Sequence, residues 1–164
     1  NRKVGVGVIG VGAFGSLHAK VYSELADCEL RAIADTDPER LDRVCASLGV
    51  TGCTDYRQIL EMADVHAVSV CTTDELHVEA AVLAAHAGKH VFVEKPMCLH
   101  EEEARQLREM LRNARWGLAD ELGDSIHRQL PVAQREEIFT RVMSASIENT
   151  STATSMYGES GSSD

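Results

Sequence analysis

From Lys3 to Asn113 the chain alternates between short runs rich in valine and isoleucine and longer stretches with a helical apolar period. Few architectures accept that alternation. Successive strands separated by helices form β-α-β units, and these build a parallel sheet with right-handed crossovers and helices on its faces. Strands are expected at Lys3–Ile9, Glu29–Asp35, Val50–Cys53, Ala67–Cys71 and His90–Val93. Helices are expected from Ala13, from Asp37-Pro38 to Leu48, over Asp55–Met62, Glu75–Ala87 and His100–Asn113. In the first helix Phe14, Leu17, Val21 and Leu25 have the spacing of one buried face. Gly49 and Gly88 stand where helices should stop. The fold class is therefore α/β, a Rossmann-type doubly wound parallel sheet.

The pattern ends near Ala114, which sets a domain at 1–114. Residues 115–147 read as an atypical helical tail, with an apolar stripe at Ile138, Phe139, Val142, Met143 and Ile147. Residues 148–164 are mostly Ser, Thr, Gly and acidic residues, a composition expected to be disordered. A truncated gene, a shifted reading frame and a replaced tail all remain open as causes. The tail stripe should cover either the sheet edge or its own copy in a second chain, so a homodimer is expected.

Composition narrows the partners. With 44% apolar and 26% charged residues the 164-residue chain has a soluble globular profile. A net charge of −10 disfavours nucleic acid and anionic membrane surfaces. No apolar run approaches the length of a bilayer span, and the first residues lack a leader pattern. The five cysteines form no C-x-x-C pair and are expected as free thiols in the reducing cytoplasm. The seven histidines show no zinc spacing, so no metal site is expected.

Gly10-Val11-Gly12-Ala13-Phe14-Gly15 is a G-x-G-x-x-G sequence placed between the first strand and the first helix. That context gives the glycines a physical task. Gly10 permits the tight turn, Gly12 lets a pyrophosphate approach the backbone, and Gly15 allows close helix-strand packing. Free N–H groups and the positive end of the helix dipole hold phosphate without a lysine, so an acidic chain can still bind a dinucleotide. Asp35 ends the second strand, 20 residues after Gly15. A carboxylate there accepts hydrogen bonds from ribose hydroxyls and repels a 2′-phosphate, which favours NAD over NADP. Its alternative reading is a helix N-cap or turn residue.

Strands four and five end in Cys71-Thr72-Thr73-Asp74 and Glu94-Lys95-Pro96, on the carboxyl edge where open α/β sheets bind ligands. The stretch "CTTDELHVEAAVLAAHAGKHVFVEKP" resembles the glucose-fructose oxidoreductase/inositol dehydrogenase (Gfo/Idh/MocA) family, over about residues 3 to 114. Within that family, "HAKVYSELADCEL" is most similar to the archaeal UDP-N-acetylglucosamine 3-dehydrogenases. The resemblance implies an NAD-dependent oxidoreductase acting on a hydroxyl of a sugar, cyclitol or nucleotide sugar. It implies that Glu94 and Lys95 lie near the nicotinamide ribose, and that Lys95 reaches the hydroxyl that loses its proton. The backbone at Thr72 and Thr73 would line the nicotinamide side, with His77 close by; Asp74 stands where many members have proline. As alternatives, Lys95 reads as half of a surface ion pair and His77 as a helix-start residue.

Family members run to about twice this length, because a second α/β domain supplies the substrate pocket and usually a catalytic histidine in a D-x-x-x-H setting. Asp124-Ser125-Ile126-His127 has the wrong spacing to replace it. A dinucleotide-binding module without turnover is therefore the alternative function. Substrate choice is not written in this stretch of sequence.

Overall fold

The computed structural model describes residues 3–109. The expected tail helix at 115–147, the disordered segment at 148–164 and the Asp124–His127 motif lie outside the described residues. Five strands, β1 (Val4–Ile9), β2 (Cys28–Ala34), β3 (Thr51–Cys53), β4 (Ala67–Val70) and β5 (His90–Val93), alternate with helices α1 (Ala13–Glu24), α2 (Pro38–Leu48), α3 (Arg57–Glu61) and α4 (His77–His86). A 3-10 turn, Asp74–Leu76, leads into α4, and residues 101–109 are helical again. All pairings are parallel, in the order β3-β2-β1-β4-β5. The chain leaves β1 toward one side of the sheet and returns to its other side, so a crevice opens above β1 where the order reverses.

Both faces of the sheet are covered, which is why its strands are apolar runs rather than alternating ones. All six residues of β1 are buried. On one face Val4, Val6 and Val8 pack with Ala19, Tyr22 and Leu25 of the α1 segment and with Leu41 and Val44 of α2. On the other, Ile9, Val68 and Val70 pack with Ile59 and Leu60 of α3 and with Ala80 and Ala84 of α4. Leu107, in the last described helix, packs with Val78 and Ala81 of α4. Helix ends follow local chemistry. The Asp37 side chain accepts the Arg40 N–H at 3.1 Å, with Pro38 opening α2. Gly49 ends the same helix in the left-handed conformation, φ 65°.

One expectation is corrected. The buried face of α1 centres on Gly15, His18, Ala19 and Tyr22, continuing to Leu25 as expected. Val21 is half-buried and packs at its margin, Leu17 is half-buried, and Phe14 faces away. Phe14 is 39% exposed. The cause is steric: a Cβ at Gly15 would collide with the carbonyl oxygen of Gly10, so this glycine must face the sheet. Its helical neighbours three, four and seven residues on must then face the sheet as well.

The five cysteines are all free. Burial pushes the Cys28 thiol up to about 11 and raises those of Cys45, Cys53 and Cys71 as well. No helix among the described residues is long and apolar enough to cross a membrane.

Candidate functional site

Strand register gathers the candidate residues. Ile9 is level with Ala34 of β2 and Val70 of β4, and Val70 with Val93 of β5. Gly10, Asp35, Cys71 and Glu94 are each the next residue along and so share one carboxyl edge. Backbone bonds continue the sheet into this row: Gly10 N–H to Ala34 O at 2.7 Å, Cys71 N–H to Ile9 O at 2.8 Å, Glu94 N–H to Val70 O at 2.9 Å.

Gly10 has φ 84°, a conformation that disfavours side chains, and a Cβ there would lie 2.7 Å from the Cys71 carbonyl oxygen. The turn is thus pressed against the chain leaving β4. Gly12, at the N-cap of α1, is the opposite case, with nothing within 4 Å of where a Cβ would stand. No side chain caps this helix start. The loop accordingly presents an open backbone surface at the positive end of α1, the physical requirement for holding a phosphate.

Asp35 is 8% exposed and already engaged. One carboxylate oxygen accepts the Val11 N–H at 2.8 Å and the other accepts the Asp37 N–H at 2.9 Å. The Arg40 guanidinium lies 3.2 Å from both oxygens and also pairs with Asp37 at 3.1 Å. The acid therefore fastens the glycine loop to the end of β2. The N-cap of α2 is Asp37, so Asp35 is not the capping residue.

A cleft of about 350 Å³ opens over this edge, lined by Gly10, Gly12, Ala13, Phe14, Asp35, Arg40, Tyr56, Thr72 and Thr73 among others. Seven of the sequence-derived candidates meet here. The half-exposed Phe14 ring forms part of the wall. Gly15 is beneath the loop rather than in the cleft.

The other candidates are placed differently. His77 is 1% exposed, with Nδ1 2.8 Å from the Pro96 carbonyl oxygen and Nε2 3.1 Å from that of Thr72. It braces the loop after β4 against the loop after β5. Glu94 is 8% exposed and turned inward, its carboxylate 2.8 Å from Nε2 of His18. Lys95 is exposed. The acid beside it faces His18, which favours the ligand-facing reading of Lys95 over its alternative as half of a surface ion pair.

Sequence reasoning missed the group beneath Glu94. His18 is fully buried, its Nδ1 3.1 Å from Ser69 Oγ and 3.3 Å from Cys71 Sγ; Tyr22 Oη is 2.9 Å from Ser69 Oγ. Burial lowers the His18 pKa, opposed by the Glu94 charge. Burial also raises the Tyr22 hydroxyl, opposed by its bond to Ser69. The available signals were a serine inside the apolar run Ala67–Val70 and a His-Tyr pair four residues apart on α1.

A glycine turn into a helix, an acid at the end of β2 and a cleft at the reversal of strand order define a dinucleotide-binding Rossmann domain. Residues 4–116 match the Gfo/Idh/MocA oxidoreductase family, NAD-binding Rossmann fold, and the chain belongs to that family. It is 36% identical over 110 residues to myo-inositol 2-dehydrogenase of Thermotoga maritima, a match covering 66% of this chain and 33% of that protein. It is 31% identical over 121 residues to levoglucosan dehydrogenase of Pseudarthrobacter phenanthrenivorans, covering 68% and 31%. Among solved structures, scyllo-inositol dehydrogenase from Lactobacillus casei with bound NAD(H) and scyllo-inositol superposes with TM-score 0.66 at 28% identity, over 70% of this chain and 34% of that one. The chain thus spans about a third of the length of the relatives it matches.

Proposed function

We propose that this domain holds NAD for hydride transfer to or from a hydroxyl-bearing carbon of a sugar, cyclitol or nucleotide sugar. The pyrophosphate would lie on Gly10, Gly12, Ala13 and Phe14, above Gly15, and the adenosine ribose at Asp35. The nicotinamide would extend toward Thr72, Thr73 and Lys95, with His77 and Glu94 holding the two loops from below. The observation that carries the reading is the orientation of the Glu94-Lys95 pair. Glu94 turns inward onto His18, and Lys95 is exposed at the same edge as the glycine loop. An ammonium there would stabilise the alkoxide that develops as hydride leaves. The names of the relatives, dehydrogenases of inositols and of levoglucosan, support this substrate class.

Calorimetry with NAD, followed by a panel of cyclitols, sugars and nucleotide sugars monitored for NADH, tests it. NAD should bind more tightly than NADP, because Asp35 offers a carboxylate where a 2′-phosphate would sit. Equal affinity for the two would defeat the Asp35 assignment. Free cysteines support a cytoplasmic setting, and the −10 charge weighs against nucleic acid and membrane partners. The tail stripe supports a homodimer. Sedimentation of the full chain should report two copies, and a chain ending at Ala114 should lose the dimer or aggregate.

A further inference from the structure

The polar group under β5 has a direction. A neutral imidazole offers one donor and one acceptor, and the partners of His18 determine which nitrogen is which. Glu94 presents a carboxylate 2.8 Å from Nε2, and a carboxylate only accepts, so Nε2 carries the proton. Nδ1 is then the acceptor and receives the Ser69 hydroxyl proton across 3.1 Å, with Cys71 Sγ 3.3 Å from the same nitrogen. Ser69 Oγ in turn accepts from the Tyr22 hydroxyl at 2.9 Å. At the other end the second Glu94 oxygen accepts the backbone N–H of Lys95 at 3.3 Å. Tyr22 to Ser69 to His18 to Glu94 to Lys95 is one series in which every donor meets an acceptor. Edge-to-face contact with Phe92, ring centroids 5.4 Å apart, fixes the plane of the imidazole.

We infer that His18 is a positioning residue: through this directed series it holds the Glu94 carboxylate under the backbone of Lys95 and so sets where the Glu94-Lys95-Pro96 turn stands. The inference rests on the proposed placement of the nicotinamide at that turn. Its physical basis is burial. A carboxylate largely removed from water keeps one orientation only while hydrogen-bond donors hold it there. Losing the Nε2 donor removes one of the contacts that hold Glu94 inward, and the acceptor under the Lys95 backbone is less firmly placed. The phosphate-binding face of α1 is elsewhere on the helix and should be unaffected.

Two variants separate positioning from packing. The amide nitrogen of glutamine overlaps Nε2 of histidine, whereas that of asparagine overlaps Nδ1. His18→Gln therefore retains the donor to Glu94, and His18→Asn retains a polar side chain without it. NAD and ADP-ribose, which lacks the nicotinamide, are titrated into the wild-type chain and both variants. The wild type should bind NAD more tightly than ADP-ribose. His18→Asn should lose roughly tenfold of that advantage, the scale of one charge-assisted hydrogen bond. Its ADP-ribose affinity should stay within about twofold, and His18→Gln should follow the wild type. Equal behaviour of the variants, or equal losses for both ligands, overturns the inference.

Ring nitrogen NMR of the wild-type chain at neutral pH gives a second reading that needs no ligand. The His18 signals are found among the seven histidines by their loss in His18→Gln. A neutral ring protonated at Nε2 is expected, and a proton on Nδ1 or an imidazolium overturns the network. A wild-type chain that binds neither ligand would sink the proposed function instead. The position of the ring proton would then decide the network alone.

Discussion

Replacing Asp35 by alanine removes a carboxylate that serves the fold and the proposed ribose site together, and the two effects are separately measurable. In the fold, the Val11 N–H at 2.8 Å and the Asp37 N–H at 2.9 Å lose their acceptor. Hydrogen bonds to a charged group contribute about 1.5–3 kcal/mol each. Water can reach the Asp37 side of the site, so part of that loss is recovered. The pair with Arg40, whose side chain is 41% exposed, adds little, about 0–1 kcal/mol. A net loss of about 2–4 kcal/mol follows, or a fall in Tm on the order of 10 °C for a domain of this size. In binding, the ribose hydroxyls lose the same acceptor, and NAD affinity should fall by about 1–3 kcal/mol, roughly 5- to 150-fold. Asp35→Asn retains one carbonyl oxygen and should fall between the two proteins in both measurements. The assays are urea unfolding without ligand and calorimetry with NAD, at a temperature where each variant is folded. An alanine variant within about 0.5 kcal/mol of the wild type in stability and unchanged in NAD affinity would refute the argument.

Changing Lys95 to methionine should leave NAD affinity nearly normal and collapse turnover once the domain is joined to a family substrate domain, because the cation is needed as charge develops on the substrate oxygen; unimpaired turnover removes Lys95 from the mechanism. Gly15→Ala should unfold the chain or lower its urea midpoint steeply, because the new Cβ meets the Gly10 carbonyl oxygen; a midpoint equal to that of the wild type contradicts the packing argument. His18 adds an acid dependence. Its folded pKa is below the ordinary 6.5, so below that pH the unfolded chain takes up a proton that the folded ring refuses, and stability falls with pH. Unfolding at pH 7.5 and 5.5 should show a smaller loss in His18→Gln than in the wild type, and equal losses would count against a buried neutral ring.

The alternation of strands and helices, the helix positions and the glycine turn were legible because each rests on local signals: apolar runs, Asp37-Pro38, Gly49, and a G-x-G-x-x-G in its strand-to-helix setting. The facing of α1 was not. Phe14 and Leu17 look like core residues by hydropathy alone, whereas one close approach, Gly15 against the Gly10 carbonyl, decides which side of the helix meets the sheet. The inward turn of Glu94 was hidden for a related reason. Its partner is 76 positions away in sequence, and nothing local to "VFVEKP" distinguishes a carboxylate aimed up from one aimed down. Asp35 was read for its ligand, and its hold on Val11 appears only when the loop folds back over it.

The free thiols make this fold report on its own opening. A thiol reacts as the thiolate, and burial both withholds the thiolate and blocks the reagent, so alkylation of a buried cysteine waits for the surrounding structure to open. Cys28 begins β2 at the amino edge of the sheet, and Cys71 follows β4 at the carboxyl edge, against the glycine turn. Alkylation rates at the two would give separate free energies of opening for the two ends of the sheet. Protection that grows at Cys71 and not at Cys28 when NAD is added would locate the cofactor by kinetics alone, with no substitution in the chain.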